Sequence, residues 1–93
     1  MAKRTDANHK DILKAARQIP GVSVFSTHEV GKGFPDIVLG YKGINYLIEI
    51  KDGLKPPSQR KLTDAEVIFH SNWMGQIATI NNVDELLTLL RIT

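Results

Sequence analysis

Three residues of this 93-residue chain have the types and spacing to do chemistry together: Asp36, Glu49 and Lys51. They lie in a stretch from Gly33 to Lys51 that reads as two apolar, β-branched and aromatic-rich runs joined across Lys42-Gly43, a hairpin signal. Strand side chains alternate faces, so Asn45, Leu47, Glu49 and Lys51 share one face of the second strand, and Tyr46, Ile48 and Ile50 the other. A two-residue loop pairs Tyr41 with Ile44 and sets Asp36 opposite Glu49. A four-residue loop from Lys42 to Asn45 sets Asp36 opposite Lys51 and Val38 opposite Glu49. Both registers put Asp36 on the face that carries Glu49 and Lys51. Two carboxylates across a strand pair repel unless something cationic sits between them. A hard divalent cation suits that place, because Mg2+ takes oxygen ligands, needs only one or two carboxylates, and completes its shell with water and substrate phosphate. Such an ion activates water and steadies charge on a phosphate, and an adjacent ammonium positions the water or stabilises the developing charge. That is phosphodiesterase chemistry. Taken one at a time, the same residues read as a solvated edge-strand pair and the start of a strand after Pro35; the combination favours the site.

The elements that must position these residues follow from the flanking sequence. Met1 to Thr5 is a short basic start that reads as frayed. From about Asp6 to Ile19, Ile12, Ala15, Ala16 and Ile19 recur at helical spacing, and Pro20-Gly21 ends the helix. Val22 to Thr27 alternates as a strand with one buried face. The loop His28 to Gly33 holds two glycines that let the backbone come close to a substrate. Lys32 is placed there to meet a phosphate, and His28 is either a general base, a DNA contact or polar surface. After Lys51, the segment Asp52 to Lys61 contains a glycine, two prolines and the bases Lys55, Arg60 and Lys61. Such a loop cannot join a sheet and suits salt-sensitive, sequence-blind contacts to a nucleic-acid backbone. Thr63-Asp64-Ala65-Glu66 is a capping box that opens a helix with Val67, Phe69, His70 and Trp73. Phe69 and Trp73, four apart, read as core or a subunit contact rather than a base-stacking platform. Gln76 to Ile80 is a short strand, and Asn82-Val83-Asp84-Glu85 a second capping box before an apolar closing helix.

Pro35-Asp36, twelve intervening residues and Glu49-Ile50-Lys51 together resemble the PD-(D/E)XK nuclease signature. The Gly-Phe-Pro-Asp opening, the hairpin ending in Glu-Ile-Lys-Asp-Gly and the following Leu-Thr-x-x-Glu helix are similar to the VRR-NUC branch, in its small stand-alone form found in phages and prophages. The similarity spans roughly residues 6 to 90. It implies a restriction-endonuclease-like α/β domain in which Asp36, Glu49 and the Ile50 carbonyl hold Mg2+ or Mn2+ and Lys51 acts on the attacking water. It also implies a further acid on the first helix. No Glu is present there, which leaves Asp6 and Asp11, both also explicable as first-turn acids. At about the Glu66 position the family has a polar residue facing the cleft, whereas capping alone accounts for a glutamate here. The expected partner is DNA, branched as in a Holliday junction, cut by a homodimer with two-fold symmetry.

Length and composition agree with one domain over residues 1–93 and a single modest core. There is no cysteine, so neither disulfides nor thiolate metal sites arise. No apolar run of membrane-spanning length, signal-peptide pattern, phosphate-binding glycine loop, zinc-finger spacing or GxSxG elbow is present, which points to a cytoplasmic protein without a nucleotide cofactor. Twelve basic against ten acidic residues give a net charge of +2, a slight global bias towards nucleic acid. The expected order is α-β-β-β-α-β-α with a mixed sheet, the last strand parallel. Two other readings compete: a non-catalytic DNA-binding or assembly module on the same fold, and a structural phage protein whose hairpin charges are ordinary surface.

Overall fold

The computed structural model describes residues 8–92, so the expectations for residues 1–5 and for Asp6 lie outside the described residues. Its centre is the hairpin of β2 (Ile37–Tyr41) and β3 (Ile44–Ile50), with Tyr41 paired to Ile44 and Ile37 to Ile48. The loop is therefore two residues long, and the four-residue alternative is excluded. Lys42 and Gly43 have φ of 50° and 79°, the left-handed pair that a primed turn needs to match the twist of its strands. Lys42 tolerates that backbone with its ammonium over the Tyr41 ring, 5.3 Å from the centroid.

β1 (Val22–Ser26) pairs antiparallel with β2, and β4 (Ile77–Ile80) pairs parallel with β3, giving the order β1-β2-β3-β4. A parallel partner requires a crossover. The chain makes it through a single 3-10 turn at Pro57–Gln59 and α2 (Asp64–Asn72). With α1 (His9–Arg17) and α3 (Val83–Leu89), the order is α-β-β-β-α-β-α, as the sequence predicts.

One sheet face forms the core. Ile37, Leu39, Ile48, Ile50 and Ile80 project from the strands onto Ile12 and Ala16 of α1 and onto Leu86 and Leu90 at the closing helix, all buried. Each fully buried branched side chain of this kind contributes about 2–3 kcal/mol. The opposite face is thinly covered: Phe25 lies 72% exposed there, and α2 approaches at the Glu49 end. The second capping box differs from expectation. Asn82 Oδ1 accepts the Glu85 N–H at 2.8 Å, but Glu85 Oε1 accepts from the backbone N–H and side-chain amide of Asn81, at 2.8 and 3.0 Å, instead of returning to Asn82. Two donors on Asn81 outbid one on Asn82. No helix among the described residues is long and apolar enough to cross a membrane.

Candidate active site

Asp36 stands one residue before β2, clamped on both edges. Its N–H donates to the Ile48 carbonyl at 3.0 Å, its carbonyl accepts from the Thr27 N–H at 2.8 Å, and Thr27 Oγ1 donates to the Pro35 carbonyl at 2.8 Å. The last pair of the ladder is Ile37–Ile48; Asp36 lies one residue beyond it on one side and Glu49 one residue beyond it on the other. The N–H of Ile50 faces the β2 side just beyond the last ladder bond, and Asp36 Oδ2 accepts it at 2.8 Å. The N–H and C=O of one strand residue point to the same side. Ile50 thus presents its carbonyl on the Asp36 side as well.

Glu49 and Lys51 share a face of β3, as alternation requires, and α2 brings Glu66 to them. Lys51 Nζ lies 2.9 Å from Glu66 Oε1 and 3.9 Å from Glu49 Oε2. The same Glu66 oxygen accepts the Thr63 N–H at 2.8 Å, while Thr63 Oγ1 accepts the Glu66 N–H at 3.2 Å. The capping box is present, and it does not compete with a place in the cleft: one carboxylate closes the helix end and anchors the lysine. Burial pushes the Glu66 carboxyl up, but the Thr63 N–H, the Lys51 ammonium and a hydrogen bond with Glu49 outweigh it and hold the group at about 2, against an ordinary 4.5. One turn on, burial lowers His70 below its ordinary 6.5, with Glu66 opposing and Lys51 assisting.

Asp36, Glu49 and Glu66 are 4%, 2% and 2% exposed, and the Lys51 ammonium sits between Glu49 and Glu66. Ions taken out of water without compensation cost several kcal/mol each. Among the described residues, no group of three or more His, Cys, Asp or Glu side chains is placed to hold a metal ion. The donors fit a more open shell. Two carboxylates and a backbone carbonyl are the hard oxygen set with which Mg2+ or Mn2+ keeps water and phosphate as its remaining ligands.

The other candidate residues are distributed unevenly around this cluster. Asp11 is exposed on α1 and lines a separate cavity of about 270 Å³ with Asn8, Asp52 and Asn82, away from Asp36 and Glu49. The titratable residue that α1 turns inward is instead His9. Asn8 Nδ2 donates to the carbonyls of Lys51 and Asn81, both at 3.0 Å, which pins the start of α1 to the ends of β3 and β4. His9 is buried, heads the inward stripe His9–Ile12–Ala16, and meets His28 edge-on with ring centroids 5.3 Å apart. His28 follows Thr27, the residue bonded to Asp36, and its Nδ1 lies 3.2 Å from Ser26 Oγ. The signal for His9 was its spacing, i, i+3 and i+7 with Ile12 and Ala16, hidden because a stripe is ordinarily traced through apolar residues alone.

Lys32 is exposed beside α2. Lys55, Arg60 and Lys61 all fall on the connector that leaves β3 at Lys51, where the Lys55 N–H bonds the Asp52 carbonyl at 3.1 Å and Arg60 closes the 3-10 turn. No family model, no curated protein and no solved structure matches this chain.

Proposed function

We propose that this chain is a metal-dependent endonuclease that hydrolyses DNA phosphodiesters. One observation carries the reading: two buried carboxylates, Asp36 just before β2 and Glu49 next to the last residue of β3, lie at one end of the hairpin beside a lysine anchored by a third, Glu66. Asp36, Glu49 and the Ile50 carbonyl would hold Mg2+ or Mn2+, which when bound supplies a water of lowered pKa and neutralises charge on the phosphate. Lys51, fixed by Glu66 and 3.9 Å from Glu49, orients the attacking water or stabilises the charge that develops as the water oxygen bonds to phosphorus and the ester oxygen leaves. Phosphate contacts fall to Lys32, Lys55, Arg60 and Lys61. By resemblance to stand-alone VRR-NUC proteins of phages and prophages, the substrate is branched DNA such as a Holliday junction and the working form is a homodimer. The exposed outer sheet face around Phe25 and Val38 offers apolar surface for a second copy.

The test is a gel assay on a synthetic four-way junction and its linear duplex control, with Mg2+, Mn2+ or EDTA, for wild type and Lys51→Ala. Symmetric, metal-dependent cuts in the junction that vanish with Lys51→Ala are expected. Equal cleavage of both DNAs refutes the junction preference. Binding without cutting in either metal moves the assignment to a non-catalytic DNA-binding module.

A further inference from the structure

α2 carries Val67, Ile68 and Phe69 in succession, and side chains about 100° apart around a helix cannot all face one packed side. Its outer surface is open, with Ile68 62% and Trp73 40% exposed. On that surface lies an open pocket of about 410 Å³ lined by Lys32, Ala65, Ile68, Phe69, Asn72 and Trp73. The Phe69 and Trp73 rings are stacked, 5.3 Å between centroids and 16° between planes, and Phe34 braces Phe69 edge-on at 5.2 Å. Phe69 and Trp73, expected as core or a subunit contact, both line this pocket, with Phe69 wedged between Phe34 and the indole.

The rim is equally specific. Gly31, Lys32 and Gly33 all have positive φ, at 74°, 56° and 81°. Left-handed backbone costs a non-glycine residue about 1–2 kcal/mol, so Lys32 is held at the pocket against its own preference. The hold comes from Gly33, which sits so close on the first turn of α2 that a Cβ there would lie 2.3 Å from the Ala65 carbonyl oxygen. Glu66 lies on the same helix, and seven residues of helix separate it from the indole by about 10 Å along the axis.

We propose that this pocket receives one unpaired nucleobase of the strand whose phosphate lies at Asp36, Glu49 and Lys51; the proposal rests on the nuclease reading above. The indole and phenyl stack offers the flat, polarisable wall on which any base lies, a contact worth about 1–3 kcal/mol per base. The Asn72 carboxamide offers both a donor and an acceptor to a base edge. Lys32 at the rim meets the flanking phosphate. This charge complementarity selects a nucleotide over a second copy of the chain, since an apolar self-contact would have to bury the lysine ammonium. A base paired and stacked inside a duplex cannot enter, whereas one at a branch point, flap or bulge enters at little cost. The pocket therefore selects DNA with unpaired nucleotides beside the cut.

Trp73 is the only tryptophan in the chain, so its emission reports the pocket directly. The full-length protein is titrated in EDTA with an oligothymidylate and with a blunt duplex, while anisotropy of a labelled oligonucleotide measures binding in parallel. The oligothymidylate should roughly halve Trp73 emission, as expected for a base stacked on the indole, and the duplex should leave it unchanged. Trp73→Ala should weaken single-strand binding by about 5- to 150-fold, the equivalent of one stacked base. Gly75→Ala is the gentler control for folding, because a Cβ there would lie 2.9 Å from Trp73 Nε1 and tilt the indole without removing it; it should weaken binding and reduce quenching together. Oligonucleotide binding by anisotropy with unchanged emission overturns the pocket and leaves the nuclease reading standing. Equal quenching by duplex, or a shift in emission that tracks self-association in sedimentation, also overturns it. Failure of every DNA, junction included, to bind removes the nuclease reading itself.

Discussion

Glu66→Gln isolates the charge of the site from its architecture. Glutamine still accepts the Thr63 N–H through its amide oxygen, so the helix cap is retained, while Lys51 loses the anionic partner at 2.9 Å. The wild-type carboxyl is held at about 2 against 4.5, because the Thr63 and Lys51 contacts exceed the upward push of burial. A depressed acid contributes stability that is fully present above its unfolded value and is lost as pH falls towards the folded one. At 1.36 kcal/mol per unit, that contribution is at most about 3 kcal/mol at pH 7, and linkage reduces it to about 1.5 kcal/mol at pH 3. Urea unfolding of wild type and Glu66→Gln at pH 7, 5 and 3 should therefore show a gap that narrows to about half between neutral and acid pH. A gap that stays constant with pH would mean that the cap alone stabilises, and one below about 0.5 kcal/mol throughout would place the Lys51–Glu66 pair among weak surface bridges. Either result refutes the buried anchor.

Gly33→Ala meets both a positive φ and the Ala65 carbonyl, so it should cost about 2–4 kcal/mol and lower Tm accordingly, whereas Gly31→Ala, with nothing within 4 Å of its Cβ, should cost only about 1 kcal/mol. Millimolar Mn2+ at about ten times its Kd should raise Tm by roughly 5–10 °C. Glu49→Gln should abolish that rise and His9→Ala reduce it; an unchanged wild-type Tm argues against a divalent site. His70 is held below 6.5 by burial, so the unfolded chain takes up its proton first and stability falls as pH drops below about 6.5. Denaturation curves of His70→Gln should lack that component between pH 7.5 and 5.5.

The hairpin was legible because its faces alternate, but the sequence left two turn lengths open, and the Tyr41–Ile44 pair selects the two-residue one. Local rules failed where tertiary placement decides. A first-turn Asp11 looks equally good for capping or for a metal, and only the angle of α1 turns it outwards and His9 inwards. Glu66 invites a choice between cap and cleft because a sequence shows the helix start without showing what packs beneath it; the structure uses one oxygen for both. Phe69 and Trp73 imply a covering layer that pattern alone cannot withhold. With α1 and α3 both taken by the opposite sheet face, the outer side of α2 stays open.

That asymmetry also explains how so small a domain holds Asp36, Glu49 and Glu66 buried together with a core. β3 sends Ile48 and Ile50 into the core and Glu49, between them, to the other face. The two isoleucines together supply about 4–6 kcal/mol of apolar burial, comparable to the several kcal/mol that a desolvated carboxylate costs. A slip of one residue would reverse every side chain, forcing Glu49 into the apolar core and both isoleucines outwards. The core thus enforces the register, and the register keeps Glu49 on the face that Glu66 of α2 reaches. The charge of the site and the stability of the fold are written on alternate residues of one strand, which is how a domain with a single core holds its carboxylates in place.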